Sequence, residues 1–203
     1  FINNDTITHN VSGDPSGQDD HGTYTLSIIG GQKSGQLYGP AYKSDYLLAK
    51  TERVDVEVMA EEDYWVAGIE WEEIHGVDVV SSSLAYYNFT DGTTIHTYAD
   101  MNGSTYTVTK GAEVAYQLGV VVCNAMGNNG ADISFPYMNA PADGFHVEAV
   151  GAVSNTSTRA SFSAIGPTYD NRIKPDVMAL GVNDYYALPR TSASYGIGSG
   201  TSY

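Results

Sequence analysis

The sequence predicts an α/β fold, a doubly wound and mostly parallel sheet flanked by helices, and three observations predict it. A strand, a helix and a second strand follow one another within about forty residues, the length of a βαβ unit. The run 120–123 is short and apolar throughout, as in strands buried on both faces. Helical spacing and strand-like runs then keep alternating toward residue 179.

Taken in order, the run Leu-Ser-Ile-Ile at 26–29 suggests a helix whose first turn holds His21. The run Tyr-Leu-Leu-Ala at 46–49 reads as a buried strand. After Glu61, residues Trp65, Val66, Ile69 and Ile74 recur at near-helical spacing, and Gly76 ends that helix. Residues 77–84 form the second strand. A further helix shows Val108, Ala112, Ala115 and Leu118 on one face, stops at Gly119 and leads into the strand at 120–123. Another strand covers 147–153, and turns at 161–167 precede a last short strand within 174–179.

The chain has 203 residues, enough for one domain with a core, and no internal repeat divides it, so residues 1–203 are read as a single domain. Its formal net charge of −15 repels nucleic-acid phosphates and anionic membrane surfaces, which argues against both as partners. No apolar run reaches the roughly 18 residues of a membrane span. Charged residues make up only 16%, whereas Gly and Tyr are abundant, a loop-rich and polar composition that leans toward an extracellular or cell-surface location. The single cysteine, Cys123, excludes an internal disulfide and reads as a small buried hydrophobe rather than a reactive thiol. Sequons at Asn4, Asn10, Asn88, Asn102 and Asn155 are the number an Asn- and Thr-rich chain produces by chance. The chain opens at Phe1 with no leader-like segment and stops at Tyr203 after a motif expected to open a helix. Both ends are therefore expected to be cuts in a longer catalytic domain.

In parallel sheets, function gathers at the carboxyl ends of strands. Three polar, glycine-flanked places fit: Asp-His-Gly-Thr at 20–23, Met-Gly-Asn-Asn-Gly at 126–130 and Ser-Gly-Thr-Ser at 199–202. His21 can exchange a proton near pH 7. The Asn128 amide can donate toward a substrate carbonyl, and the Ser202 hydroxyl can stand at a tight turn into a helix, where the dipole favours a developing oxyanion. Each also has a plainer reading: a capping or solvent-facing His, an Asn-Asn-Gly turn, a Ser helix cap. A dinucleotide fingerprint at 125–130 fails because 131–136 opens no apolar-striped helix. The five histidines are scattered, with no metal-binding pair.

Together the three places resemble the subtilisin-like serine proteases, the subtilases, and the resemblance runs along nearly the whole chain. The blocks at 68–71, 79–84, 149–153, 160–163 and 174–179 are similar to the family's in order and spacing, with room for inserted loops, notably at 86–105. The resemblance implies a serine endopeptidase acting on protein or peptide substrates: Ser202 as nucleophile, His21 as general base and acid, Asn128 in the oxyanion hole. It implies a substrate strand along Ser83, Leu84 and Ala85, and a first specificity pocket walled by Ala125, Met126 and Gly127, which Met126 makes apolar. No cofactor is needed for the chemistry. Structural Ca²⁺, used by many subtilases, is compatible with the acidic loops, though no defined Ca²⁺ loop marks a site. A monomer is expected.

Departures from the family pattern are Tyr24 in place of a second histidine, Tyr203 in place of a methionine after the nucleophile, and Ala85 in place of a glycine. The family's catalytic aspartate has no counterpart in residues 1–20. Asp14 lies in a Gly-Asp-Pro turn, and Asp19 and Asp20 adjoin His21 in sequence with diverging side chains, so that aspartate is expected to lie upstream and these 203 residues alone to be inactive. The alternative is an inactive subtilase fold that binds peptides or serves as a surface module.

Overall fold

The sheet at the centre of the molecule has four parallel strands in the order β3 (Val79–Ser82), β4 (Val121–Ala125), β5 (Val147–Val153) and β6 (Val177–Leu180). A computed structural model describes residues 1–3, 6–90, 92 and 96–203 of the chain. Ahead of the sheet come α1 (Asp20–Gly30), a short antiparallel pair β1 (Gln32–Lys33) and β2 (Leu37–Tyr38), and α2 (Ala60–Ile74). Helix α3 (Thr107–Gln117) crosses from β3 to β4, and an antiparallel hairpin, β7 (Asp184–Ala187) and β8 (Tyr195–Gly198), follows the sheet.

Alternation along β3 decides which element covers which face. Val80 and Ser82 are buried toward α2, where the Trp65 indole donates to the Ser82 hydroxyl at 3.0 Å, while Ser81 points the other way. Val122, Val147 and Ala149 join Trp65, Ile69, Val108, Ala112 and Ala115 in the core beneath α2 and α3. Each such valine contributes roughly 1.5–3 kcal/mol by leaving water. The two helices approach closely because residue 111 is glycine: an added Cβ would come within 2.8 Å of Val66. Glu62, buried on α2, accepts the Val108 N–H at 3.0 Å, so one helix caps the first turn of the next. Helix α1 lies against the other face, where Thr25, Ile28 and Ile29 line a hollow with Ser81, Cys123 and Val150. Helices therefore flank the sheet on both sides, as a doubly wound fold requires.

Three expectations need correction. Residues 46–49 form no strand: no described strand lies beside them to take their backbone hydrogen bonds, and Leu47 and Leu48 are exposed. Ile74 and Leu118 keep the helical spacing of their neighbours but fall at helix ends beyond the packed turns, and both are exposed, Leu118 by 59%. After β8 the chain makes a turn at Thr201–Ser202, and the helix expected to continue past Tyr203 falls outside the described residues. The loop expected at 86–105 holds a single 3₁₀ turn, Tyr98–Asp100, and its residues 91 and 93–95 lie outside the described set, as does the sequon at Asn4. Cys123 is half-buried, and burial pushes its thiol pKa up, which fits the inert reading.

Candidate active site

Three loops at the carboxyl end of the sheet meet around an open cavity of about 300 Å³. The β3 end brings Ser83 and Ala85, the β4 end brings Ala125, Gly127, Asn128 and Asn129, and the turn after β8 brings Thr201 and Ser202. Gly127 allows the β4 end to turn: it sits at φ +105°, and a Cβ there would press to 2.9 Å on Asn129 Oδ1.

The orientation of the Asn128 side chain is fixed by chemistry. Its Oδ1 accepts the Thr201 backbone N–H at 2.8 Å and lies 3.1 Å from the Thr201 hydroxyl, whose oxygen in turn accepts the Gly127 N–H at 3.1 Å. A backbone N–H can only donate, so the oxygen must face Thr201, which leaves the two amide hydrogens of Nδ2 for the cavity. Ser202 is held beside it. The Ser83 hydroxyl donates to the Ser202 carbonyl at 2.9 Å, and Ser202 Oγ reaches only weakly to the Ser83 carbonyl, at 3.4 Å, leaving its hydroxyl nearly free.

His21 occupies the first turn of α1, partly buried, with no ring hydrogen bond to another described residue. Burial lowers its imidazole pKa, which holds the ring neutral at pH 7, the state a base needs. The spacing of His21, Thr25 and Ile28 puts them on one face of α1, and Thr25 and Ile28 line the second hollow together with Ser202. His21 itself lines neither cavity. The three carboxylates nearest it in sequence are committed elsewhere. Asp14 accepts from Asn3, Val11 and Lys50, Asp19 from the Asn10 N–H and Arg190, and Asp20 from Arg190.

Of the remaining expected residues, Leu84 and Met126 do not line the cavity. In an extended edge, alternate residues face it, so Ser83 and Ala85 do and Leu84 turns away. Met126 is fully buried in the core (0% exposed), so the apolar pocket expected from it lacks its wall. In its place stand Asn129 and Asn139, which the sequence reading missed. Among the described residues no three His, Cys, Asp or Glu side chains gather to hold a metal ion, so they form no carboxylate cage for calcium. None of the described helices is long and apolar enough to cross a membrane.

The sequence profile described as the subtilase family, peptidase family S8, matches residues 1–203. The chain belongs to the subtilase family. It is 36% identical over 137 residues to subtilisin DY of Bacillus licheniformis, covering 68% of this chain and 42% of that protein. It is 31% identical over 183 residues to subtilisin E of Bacillus subtilis strain 168, covering 90% of this chain and again 42% of the relative. The chain thus spans about two fifths of the length of these curated relatives. Among solved structures, the self-cleaved protease domain of PatA superposes with a TM-score of 0.71 at 24% identity, over 97% of this chain and 64% of that one. The PatG macrocyclase in complex with peptide gives a TM-score of 0.70 at 18% identity, over 95% and 52%. Both carry the same fold.

Two departures from the subtilase pattern prove to be neighbours. Tyr24 of α1 stacks on Tyr186 of β7, with centroids 4.3 Å apart, and Tyr186 stacks on Tyr203 at 5.6 Å. One aromatic column therefore joins the helix bearing His21 to the turn bearing Ser202. Ser27 completes the joint by accepting the Ala187 N–H at 2.9 Å.

Proposed function

We propose that this subtilase chain is the catalytic core of a serine endopeptidase. Ser202 Oγ attacks the scissile carbonyl, His21 takes the proton and returns it to the leaving amine, and Asn128 Nδ2 donates to the oxyanion. The observation that carries this reading is the Asn128–Thr201 bond, which aims a donor into the cavity beside a nearly free serine hydroxyl. Among the described residues β3 lies at the edge of the sheet, so the main chain of a peptide can add alongside Ser83, Leu84 and Ala85 in register with the attack. Asp14, Asp19 and Asp20 are committed to other partners, so none of the three serves as the carboxylate that orients His21, and these 203 residues by themselves are expected not to turn over substrate. The weakly charged, polar composition supports work outside the cell on protein or peptide substrates, by a monomer that needs no cofactor for the chemistry.

A serine-directed fluorophosphonate on the full-length protein tests the reading. Covalent labelling and peptide cleavage, both abolished by Ser202→Ala, are expected. The second reading, an inactive peptide-binding subtilase fold, draws on the lack of a carboxylate beside His21 among the described residues. Peptide binding by the full-length protein, with neither labelling nor cleavage, would establish that reading instead.

A further inference from the structure

The edge that leads to the Ser202 cavity is anchored at every second residue. The Ser82 hydroxyl accepts the Trp65 indole N–H at 3.0 Å, the Leu84 carbonyl accepts from Asn124 Nδ2 at 3.0 Å, and Tyr86 exchanges both backbone hydrogen bonds with Ala140, at 2.9 and 3.0 Å. Ser82 and Tyr86 are buried, and so is the Asn124 that holds Leu84. Between these fixed points Ser83 and Ala85 turn to the cavity. The Ser83 hydroxyl is therefore carried on backbone with little freedom to move, and its single proton is already committed. It goes to the Ser202 carbonyl at 2.9 Å, a contact between residues 119 apart in sequence. A carbonyl can only accept, so the direction of that bond is fixed.

We infer that the Ser83 hydroxyl is a positioning group for the nucleophile, a role separate from the pairing of substrate with the Ser83 backbone. The inference rests on the peptidase reading above. Two bonds bracket the turn that bears Ser202. Asn128 Oδ1 holds the peptide unit entering Thr201 by its N–H at 2.8 Å, and Ser83 Oγ holds the unit leaving Ser202 by its carbonyl. One anchor lies just past the end of β4 and the other just past the end of β3, so the Cα–Cβ bond of Ser202 is aimed from the ends of two adjacent strands. Ser202 Oγ keeps only its weak 3.4 Å contact with the Ser83 carbonyl, which leaves the hydroxyl free to turn while the backbone beneath it stays fixed. A misplacement of about 1 Å at a reacting atom costs on the order of 10²-fold in rate, so the loss of one bracket falls on the chemical step. The main-chain groups that pair with a peptide remain in place without the hydroxyl.

Peptide cleavage and the rate of labelling by a small alkyl fluorophosphonate, measured on the full-length protein with Ser83→Ala and Ser83→Thr, test this. The probe has no peptide main chain to pair with the edge, so its rate reads the Ser202 hydroxyl and its base alone. Ser83→Ala is expected to lower kcat and the labelling rate together, about tenfold, the equivalent of one ordinary hydrogen bond, with KM little changed. Ser83→Thr keeps the hydroxyl and is expected to recover most of both rates. An unchanged labelling rate in Ser83→Ala, with or without a rise in KM, makes Ser83 a substrate contact only and overturns the inference, as does a Thr variant as slow as the Ala variant. Either result leaves the peptidase reading standing. No cleavage and no labelling at Ser202 in the unaltered protein overturns both.

Discussion

The two halves of the site are built differently. Asn128, Thr201 and Ser202 are tied to one another and to the residues just past β3 and β4 by hydrogen bonds of 2.8–3.1 Å between backbone and side-chain groups, with Met126 and Val122 fully buried. His21 rides on a helix held to the β7–β8 hairpin by one aromatic column, one hydroxyl contact and the exposed ion pairs of Arg190. The Asn128–Ser202 half is thus held directly, whereas the His21 half, the base of the proposed mechanism, is positioned through an intermediary. Rigidity belongs where charge develops, because a preorganised donor loses nothing to reorganisation during the reaction. A base that must take a proton and give it back tolerates a looser mount.

The largest expected effect sharpens the rigid half. Asn128→Leu in the full-length protein should lower kcat on the order of 10²- to 10³-fold with KM little changed, a magnitude borrowed from the corresponding donor of subtilisin. Next comes the buried acid beneath the substrate edge. Burial pushes the Glu52 carboxyl up to about 8 despite the hydroxyl of Tyr86, with Glu61 and Glu57 adding repulsion. The fold therefore favours its protonated form. That stability is fully present below the ordinary pKa of 4.5 and is lost as pH rises toward 8, on the order of 4 kcal/mol across the window. Denaturant unfolding at pH 5 and pH 8 should show this fall, and Glu52→Gln should flatten it; an unchanged slope in the variant would remove Glu52 as its cause.

A smaller effect tests the clamp on the amide itself. Thr201→Val keeps the backbone N–H but loses the hydroxyl that links Gly127 to Asn128, so kcat should fall about tenfold, the equivalent of one ordinary hydrogen bond of roughly 1.4 kcal/mol. The smallest effects separate the two mounts of α1. Tyr186→Ala should cost about 1 kcal/mol or more of stability and lower kcat, whereas Arg190→Ala, which removes the ion pairs of a half-exposed guanidinium, should cost less, about 0.5 kcal/mol. Equal losses from the two variants would show that the exposed ion pairs, not the column, hold the helix.

Periodicity carried the sheet and the helix interiors. Trp65, Ile69, Val108, Ala112 and Ala115 are buried as their spacing predicts, and residues 147–153 form a strand with the predicted bounds. It misled where burial depends on a neighbour far away in sequence: Ile74 and Leu118 fit the helical pattern but overhang the packed turns, and residues 46–49 have no strand to pair with among the described residues. The same limit governs the cavity. Asn128 was legible because it follows an apolar strand and a glycine. Asn139 was not, since it reaches the cavity through long-range backbone bonds, its own to Met126 and those of Ala140 to Tyr86, across a loop with no local pattern. Met126 misled for a related reason: its neighbours Ala125 and Gly127 line the cavity, and adjacent residues at a strand end point to opposite sides.

The β7–β8 hairpin acts as a ruler between the two halves. Its first leg bears the tyrosine on which α1 rests, and its second leg runs straight into the nucleophile turn. Side chains alternate along a strand, so a one-residue slip in the pairing of Tyr186 with Gly196 would turn that ring to the far side and shorten the path to Ser202 by one residue. Length added at the tip, between Leu188 and Ser194, leaves both legs in register. Loop grafts are therefore expected to be tolerated at the tip, whereas a single deletion within either leg would separate His21 from Ser202 without touching either residue.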